Sequence, residues 1–257
     1  MKPRRPLAAL AALLFAAACG SETPDEPLAA PQSSVAAEDL QPVRGLLARG
    51  LGQDALARAQ TLQAEHPGSA DVHLLAGDAR GMLGDFAGAA RDYRRAADLA
   101  FTEPTALRLG EALNRSGQSG GAAEVFQRFL ARNPDNAAVL TAAGDTALEA
   151  ADWPRAIRMY ERVRRRIGDE DAILLNNLAW AYLEQDDYGR ALPLAEKAWS
   201  LDRTSAATAD TLGWILFKSG SDQARARILL EQAARAAPAD ARIRSHLEAA
   251  RVGRQPV

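Results

Sequence analysis

The chain of 257 residues has one cysteine, Cys19, so no disulfide can close within it. It has no surplus of positive charge: 31 lysines and arginines stand against 33 acidic residues, a net charge of −2 with histidine neutral. Nucleic-acid binding draws on a basic surface that neutralises phosphates, and this composition does not supply one. The apolar run Leu7 to Ala18 has only twelve residues, too few to cross the roughly 30 Å hydrocarbon core of a bilayer as a helix. The three histidines, His66, His73 and His246, are far apart and lack the i, i+4 or CxxC-type companions of a metal site. Neither GxxxxGK[ST] nor GxGxxG occurs, so phosphate-cradling loops are missing. The acidic groups Asp169-Glu170-Asp171 and Asp186-Asp187 fall between expected helices, where turn residues and helix N-caps account for them. No enzymatic activity, cofactor, metal or small-molecule substrate is expected.

What the sequence does have is repetition. Gly77, Gly110, Gly144, Ala179 and Gly213 follow one another at 33, 34, 35 and 34 residues, and Val43 extends the series 34 residues upstream. Twelve or thirteen positions after each stands an alanine: Ala55, Ala89, Ala122, Ala156, Ala191 and Ala226. Four positions further come Tyr93, Phe126, Tyr160 and Leu230, with Ala59 and Ala195 as weaker members. Pro67, Pro104, Pro134, Gly168, Arg203 and Pro238 end the units. Two antiparallel helices approach closely only where side chains are small, and a large apolar residue fills the adjacent gap. Proline cannot continue a helix, so each pair stops there. A single pair cannot bury its own apolar face, whereas stacked neighbours share a core.

The period, with runs such as Asn177-Leu178-Ala179-Trp180-Ala181-Tyr182 and Thr211-Leu212-Gly213-Trp214-Ile215-Leu216, resembles tetratricopeptide (TPR) repeats from about Ala36 to Asp240. The resemblance implies an all-α TPR solenoid, a right-handed superhelix of about six helix-turn-helix repeats with a C-terminal capping helix. The expected divisions are 38–240 for the array and 241–257 for the capping helix and tail. Val43 in the first unit and one extra residue between Gly220 and Ala226 in the last depart from the pattern, at the ends where irregular capping units are expected. Asp85, Asp152 and Asp187 precede Phe86, Trp153 and Tyr188 and suit N-caps of second helices, the aromatics packing as staples.

The N-terminus reads as an export signal over 1–18: Lys2, Arg4 and Arg5, then the apolar run, then Cys19-Gly20. Ala16-Ala17-Ala18-Cys19-Gly20 resembles the lipobox of bacterial lipoproteins, although Ala16 stands where that family usually has leucine. The resemblance implies lipidation at Cys19, a membrane anchor, and, with Ser21 rather than aspartate after Gly20, the outer membrane facing the periplasm. Residues 19–37, with Pro24, Pro27, Pro31, Ser33 and Ser34, read as a flexible tether. Removal of the signal leaves 28 basic against 33 acidic side chains.

In TPR arrays the first helix of each pair lines a concave groove, and ligand contacts fall at the second, fifth, sixth and ninth positions of the unit. Counting the small residue as eighth, the ninth positions are Arg44, Asp78, Glu111, Asp145, Trp180 and Trp214. Asp71, Arg108, Thr141, Asn176, Asn177 and Asp210 are further groove candidates. The expected groove is acidic at its centre and aromatic toward its C-terminal end, or else the tryptophans fill gaps between helices. The dense basic run Arg162, Arg164, Arg165 and Arg166 reads as cations at a helix C-terminus facing water, with an anionic partner as the alternative.

The expected function is a membrane-anchored scaffold that holds a peptide or helix of another envelope protein in the groove. The second half resembles TPR lipoproteins of exopolysaccharide and exosortase (PEP-CTERM) systems. A pilotin-like lipoprotein of pilus or secretin assembly and a polysaccharide-binding module are the alternatives.

Overall fold

The computed structural model describes residues 35–253. The leader, Cys19 and the tether up to residue 34 lie outside the described residues. Among those described, thirteen α-helices occur and no strand. Six pairs follow in order: α1 (Ala37–Ala48) with α2 (Gly52–Glu65), α3 (Ala70–Met82) with α4 (Phe86–Leu99), α5 (Glu103–Arg115) with α6 (Ser119–Leu130), α7 (Ala137–Glu149) with α8 (Trp153–Ile167), α9 (Ala172–Leu183) with α10 (Tyr188–Leu201), and α11 (Ala206–Ser219) with α12 (Gln223–Ala236). A last helix, α13 (Ala241–Val252), packs on α12 and α11. None of the described helices is long and apolar enough to cross a membrane.

The repeating small residue sits where the sequence demands it. A Cβ added to Gly77, Gly110 or Gly144 would stand 2.4, 2.1 or 2.6 Å from the ring of Tyr93, Phe126 or Tyr160. Those distances are well inside van der Waals contact, so the ring occupies the space a side chain would need. In the fifth unit both partners are small, Ala179 and Ala195, and in the first they are Val43 and Ala59; all four are buried. Volume is therefore exchanged within each pair, which explains why the weaker members of the aromatic series coincide with the units lacking glycine.

Local chemistry sets the helix starts. Asp85, Asp152, Asp187 and Asp222 accept hydrogen bonds from the backbone N–H three residues on, at 2.8, 3.1, 3.1 and 2.9 Å. Each satisfies one of the N–H groups that a first helical turn leaves without a partner. The turn into the second helix passes through the left-handed region at Gly84 and Gly117, with φ of +78° and +79°. In the fourth and fifth units the same place is held by Ala151 (φ 54°) and Asp186 (φ 53°).

Successive first helices touch directly at α1/α3, α5/α7, α7/α9 and α9/α11, whereas the described second helices make no comparable contact with one another. The first helices thus form the tighter inner layer and the second helices the outer one. The core runs between the layers through Leu40, Leu75, Leu109, Leu140, Leu175 and Leu212, all buried.

Candidate partner-binding groove

The inner layer presents position nine of each unit, but its residues meet different fates. Asp78 on α3 accepts from the Tyr93 hydroxyl at 2.7 Å and from Arg108 Nε of the next unit at 2.9 Å. Asp145 on α7 accepts from the Tyr160 hydroxyl at 2.6 Å and is also hydrogen-bonded to the Asn177 side chain. Burial raises the Asp145 carboxyl above the ordinary carboxylate range, against the opposing pull of those hydrogen bonds. Burial, with the neighbouring carboxylate, also pushes the Tyr93 and Tyr160 hydroxyls far above the usual phenol range, so both remain neutral donors. In the third unit the buried ring is Phe126, which has no hydroxyl, and Glu111 is left 72% exposed with only a 3.9 Å approach to Arg115.

The acidic centre expected from the sequence is therefore corrected to a mixed one. Two of its three carboxylates serve buried tyrosines, and arginines lie among them. A cleft of about 250 Å³ opens beside Asp78, Arg108, Glu111 and Arg115. A second, of about 370 Å³, is lined by Glu111, Asn114, Arg115, Asp145 and Glu149. The two share Glu111 and Arg115 and so adjoin across α5, the first walled by α3 and α4 and the second by α6 and α7. Within the second the buried Asn114 Oδ1 has no hydrogen-bond partner, although its Nδ2 donates to Thr146 Oγ1 at 2.7 Å.

The aromatic end of the groove is also corrected, because α13 covers it. Asp210 is fully buried and accepts from His246 Nδ1 at 2.9 Å, with Arg242 Nε at 3.7 Å. Trp214 is 6% exposed, its ring stacked on His246 with centroids 4.1 Å apart and planes at 9°. Trp180 is half-buried beneath the Arg242 guanidinium, 4.7 Å from the ring centre. The physical reason is that α13 continues the stack as one more first helix, so its side chains fall where a ligand was expected. Asn176 is half-buried, with an Oδ1 that has no partner, and Asn177 is committed to Asp145 and Tyr160. Arg44 and Asp71 are exposed and Thr141 is half-buried.

Arg115, Asn114 and Glu149 are not among the sequence-derived candidates. Arg115 and Glu149 stand four residues beyond the ninth positions Glu111 and Asp145, one turn along the same helix face, a relation that periodicity alone makes available. The run Gly117-Gln118-Ser119-Gly120-Gly121 matches GxSxG in letters. It joins α5 to α6, so the strand-to-helix elbow that exposes a nucleophilic serine is not formed. Among the described residues, no group of three or more His, Cys, Asp and Glu side chains is placed to hold a metal ion.

Paired helices stacked in two layers, with an inner trough and a terminal covering helix, define an α-solenoid whose chemistry lies in its surfaces. The family profile described as tetratricopeptide repeat matches residues 43–104, 107–150 and 141–206, more than half of the chain. The chain belongs to the tetratricopeptide repeat family. No curated protein matches the sequence significantly. Among solved structures it is similar to the C-terminal part of a TPR repeat-containing protein from Cytophaga hutchinsonii, with a TM-score of 0.64 and 17% identity over 82% of this chain and 84% of that one. It is similar to YrrB, described as a TPR protein with an unusual peptide-binding site, with a TM-score of 0.59 and 12% identity over 74% and 97%. A thermophilic TPR protein of Thermus thermophilus matches with a TM-score of 0.54 and 16% identity over 72% and 100%. Identities this low carry the fold alone.

Proposed function

We propose that the array is a binding scaffold that takes a peptide or helix of a protein partner in the trough that the two clefts make across α5. The observation that carries this reading is Glu111, exposed between two adjoining clefts and flanked by Arg108 and Arg115. A trough of both charge signs suits a polar peptide whose backbone and charged side chains both find partners. The description of YrrB as having a peptide-binding site is consistent with such use of the fold.

The sequence of the leader, Cys19 and the tether supports a setting in the bacterial envelope. There a lipid-anchored scaffold would hold partners during assembly or export of a surface polymer or protein, or serve a secretin or pilus in the pilotin manner. The reading of Trp180 and Trp214 as a sugar-stacking platform loses its support, because α13 covers them. Gel-shift of the protein labelled with palmitate in growing cells, lost in Cys19→Ala, tests the anchor. For the trough, Glu111→Lys combined with Arg115→Glu should abolish capture of the cognate partner while leaving the helical melt unchanged. Capture at wild-type strength would refute it.

A further inference from the structure

The outer layer is charged in the opposite sense to the inner. The second helices carry sixteen basic against eight acidic side chains. The first helices carry five basic against nine acidic. The basic excess is densest on α8, where Arg155, Arg158, Arg162, Arg165 and Arg166 recur at intervals of three, four, three and one. That spacing draws one stripe along a helix face, spanning roughly 16 Å at 1.5 Å per residue.

The stripe borders a cavity. A cleft of about 480 Å³ is lined by Arg155, Arg158 and Arg162 over an apolar floor that includes Leu130 and Met159. A second, of about 260 Å³, continues from Arg162 to Arg165 and Arg166. Two of the guanidiniums are anchored by uncharged groups: Arg155 Nη2 donates to the Ala123 carbonyl at 3.1 Å and Arg162 to that of Pro134. Among the described residues, none of the five forms an ion pair with a carboxylate, although Asp152 and Asp135 stand at the rims. Arg164 on the other side of the helix does, with Asp169 Oδ1 at 2.6 Å. Helix-end cations facing water explain Arg165 and Arg166, but not a stripe that begins in the first turn of α8 and frames an apolar cleft.

We infer that the α6–α8 cleft on the outer face is a second binding surface, and that its ligand is an acidic amphipathic helix of a protein. Carboxylates at helical spacing would meet the stripe, and an apolar side chain between them would fill the floor over Leu130 and Met159. A concave, elongated site with an apolar floor favours such a segment over a flat lipid surface, which would contact a broad exposed patch instead.

The test uses the full chain and a fluorescent twenty-residue helical peptide with glutamates at i, i+3, i+7 and i+10 and one leucine among them. Vesicles containing phosphatidylglycerol serve as the second probe. The peptide should bind, more weakly as salt rises, and the variant carrying Arg158→Gln, Arg165→Gln and Arg166→Gln should bind about tenfold less tightly. These three side chains are exposed, so circular dichroism should show an unchanged melt. The companion variant Arg91→Gln, Arg94→Gln, Arg95→Gln on α4 should bind as wild type does. Equal loss in both variants would mean diffuse attraction and overturn the inference. Absence of peptide binding, or binding to vesicles alone, would overturn it as well.

Discussion

Tyr160 donates its phenolic hydrogen to Asp145 at 2.6 Å, across the two helices of the fourth pair, and Tyr93 does the same to Asp78 at 2.7 Å in the second. Where the ring is Phe126, the ninth-position carboxylate, Glu111, stands exposed in the trough. One hydroxyl group per unit thus separates a structural carboxylate from one available to a ligand.

Removing that hydroxyl should be felt in stability. Tyr160→Phe leaves Asp145 half-buried with one partner fewer and is expected to cost about 1 kcal/mol in urea unfolding at neutral pH. The converse change, Phe126→Tyr, should draw Glu111 toward the new hydroxyl and weaken partner binding without lowering stability.

The pH dependence has two opposite signs. Burial raises the Asp145 carboxyl, so the folded state holds its proton more tightly than the unfolded chain. Its ionisation therefore removes stability as pH rises from about 3.8 through the raised folded value. Asp145→Asn should gain on wild type over that window and hold the gain at neutral pH. Asp169, held low by Arg164, and Asp85, held low by the Gly88 N–H, act the other way. Their contribution is present above the ordinary value of 3.8 and is lost as pH falls through the lower folded value. Acid unfolding of Asp145→Asn against Asp85→Asn should separate the two.

Gly110→Ala should destabilise by about 2 kcal/mol, since the new methyl meets the Phe126 ring at 2.1 Å. Phe126→Ala alone should cost about 3 kcal/mol. The double variant reproduces the Ala179 and Ala195 pairing of the fifth unit and should be more stable than the sum of the two losses implies. Strict additivity in denaturant melts would contradict the exchange of volume within pairs.

Much of this is legible in the sequence, and the reason is local. Small residue, alanine and ring recur because every pair solves the same packing problem, and Asp85, Asp152 and Asp187 announce helix starts within three residues of their partners. The pairings that escape a sequence reading are those set by how units approach one another. Asp78 meets Arg108 thirty positions on, and Asp210 meets His246 thirty-six positions on. Position numbers say which face a residue is on, not what already covers that face. Trp214 reads as a groove residue because the contribution of α13 depends on the whole stack having formed.

The Asp210–His246 contact should matter to the end of the stack. His246→Ala leaves a fully buried carboxylate with only the distant Arg242 and is expected to cost about 3 kcal/mol. It should also shift tryptophan emission to longer wavelength as Trp214 loses its stacking partner.

Ala151 occupies a left-handed turn position that glycine fills in most other units. Ala151→Gly should raise stability by about 1 kcal/mol, and Gly84→Ala should lower it by a similar amount. A fall in melting temperature for Ala151→Gly would refute the strain.

A photo-reactive amino acid placed at Glu111 in living cells tests the trough most directly. It should give a protein adduct that is absent when the same group replaces Ile228, an exposed residue of the outer face. The adduct should be lost when Arg115→Glu is added. No adduct from position 111, or equal adducts from both positions, would contradict a partner site in the inner groove.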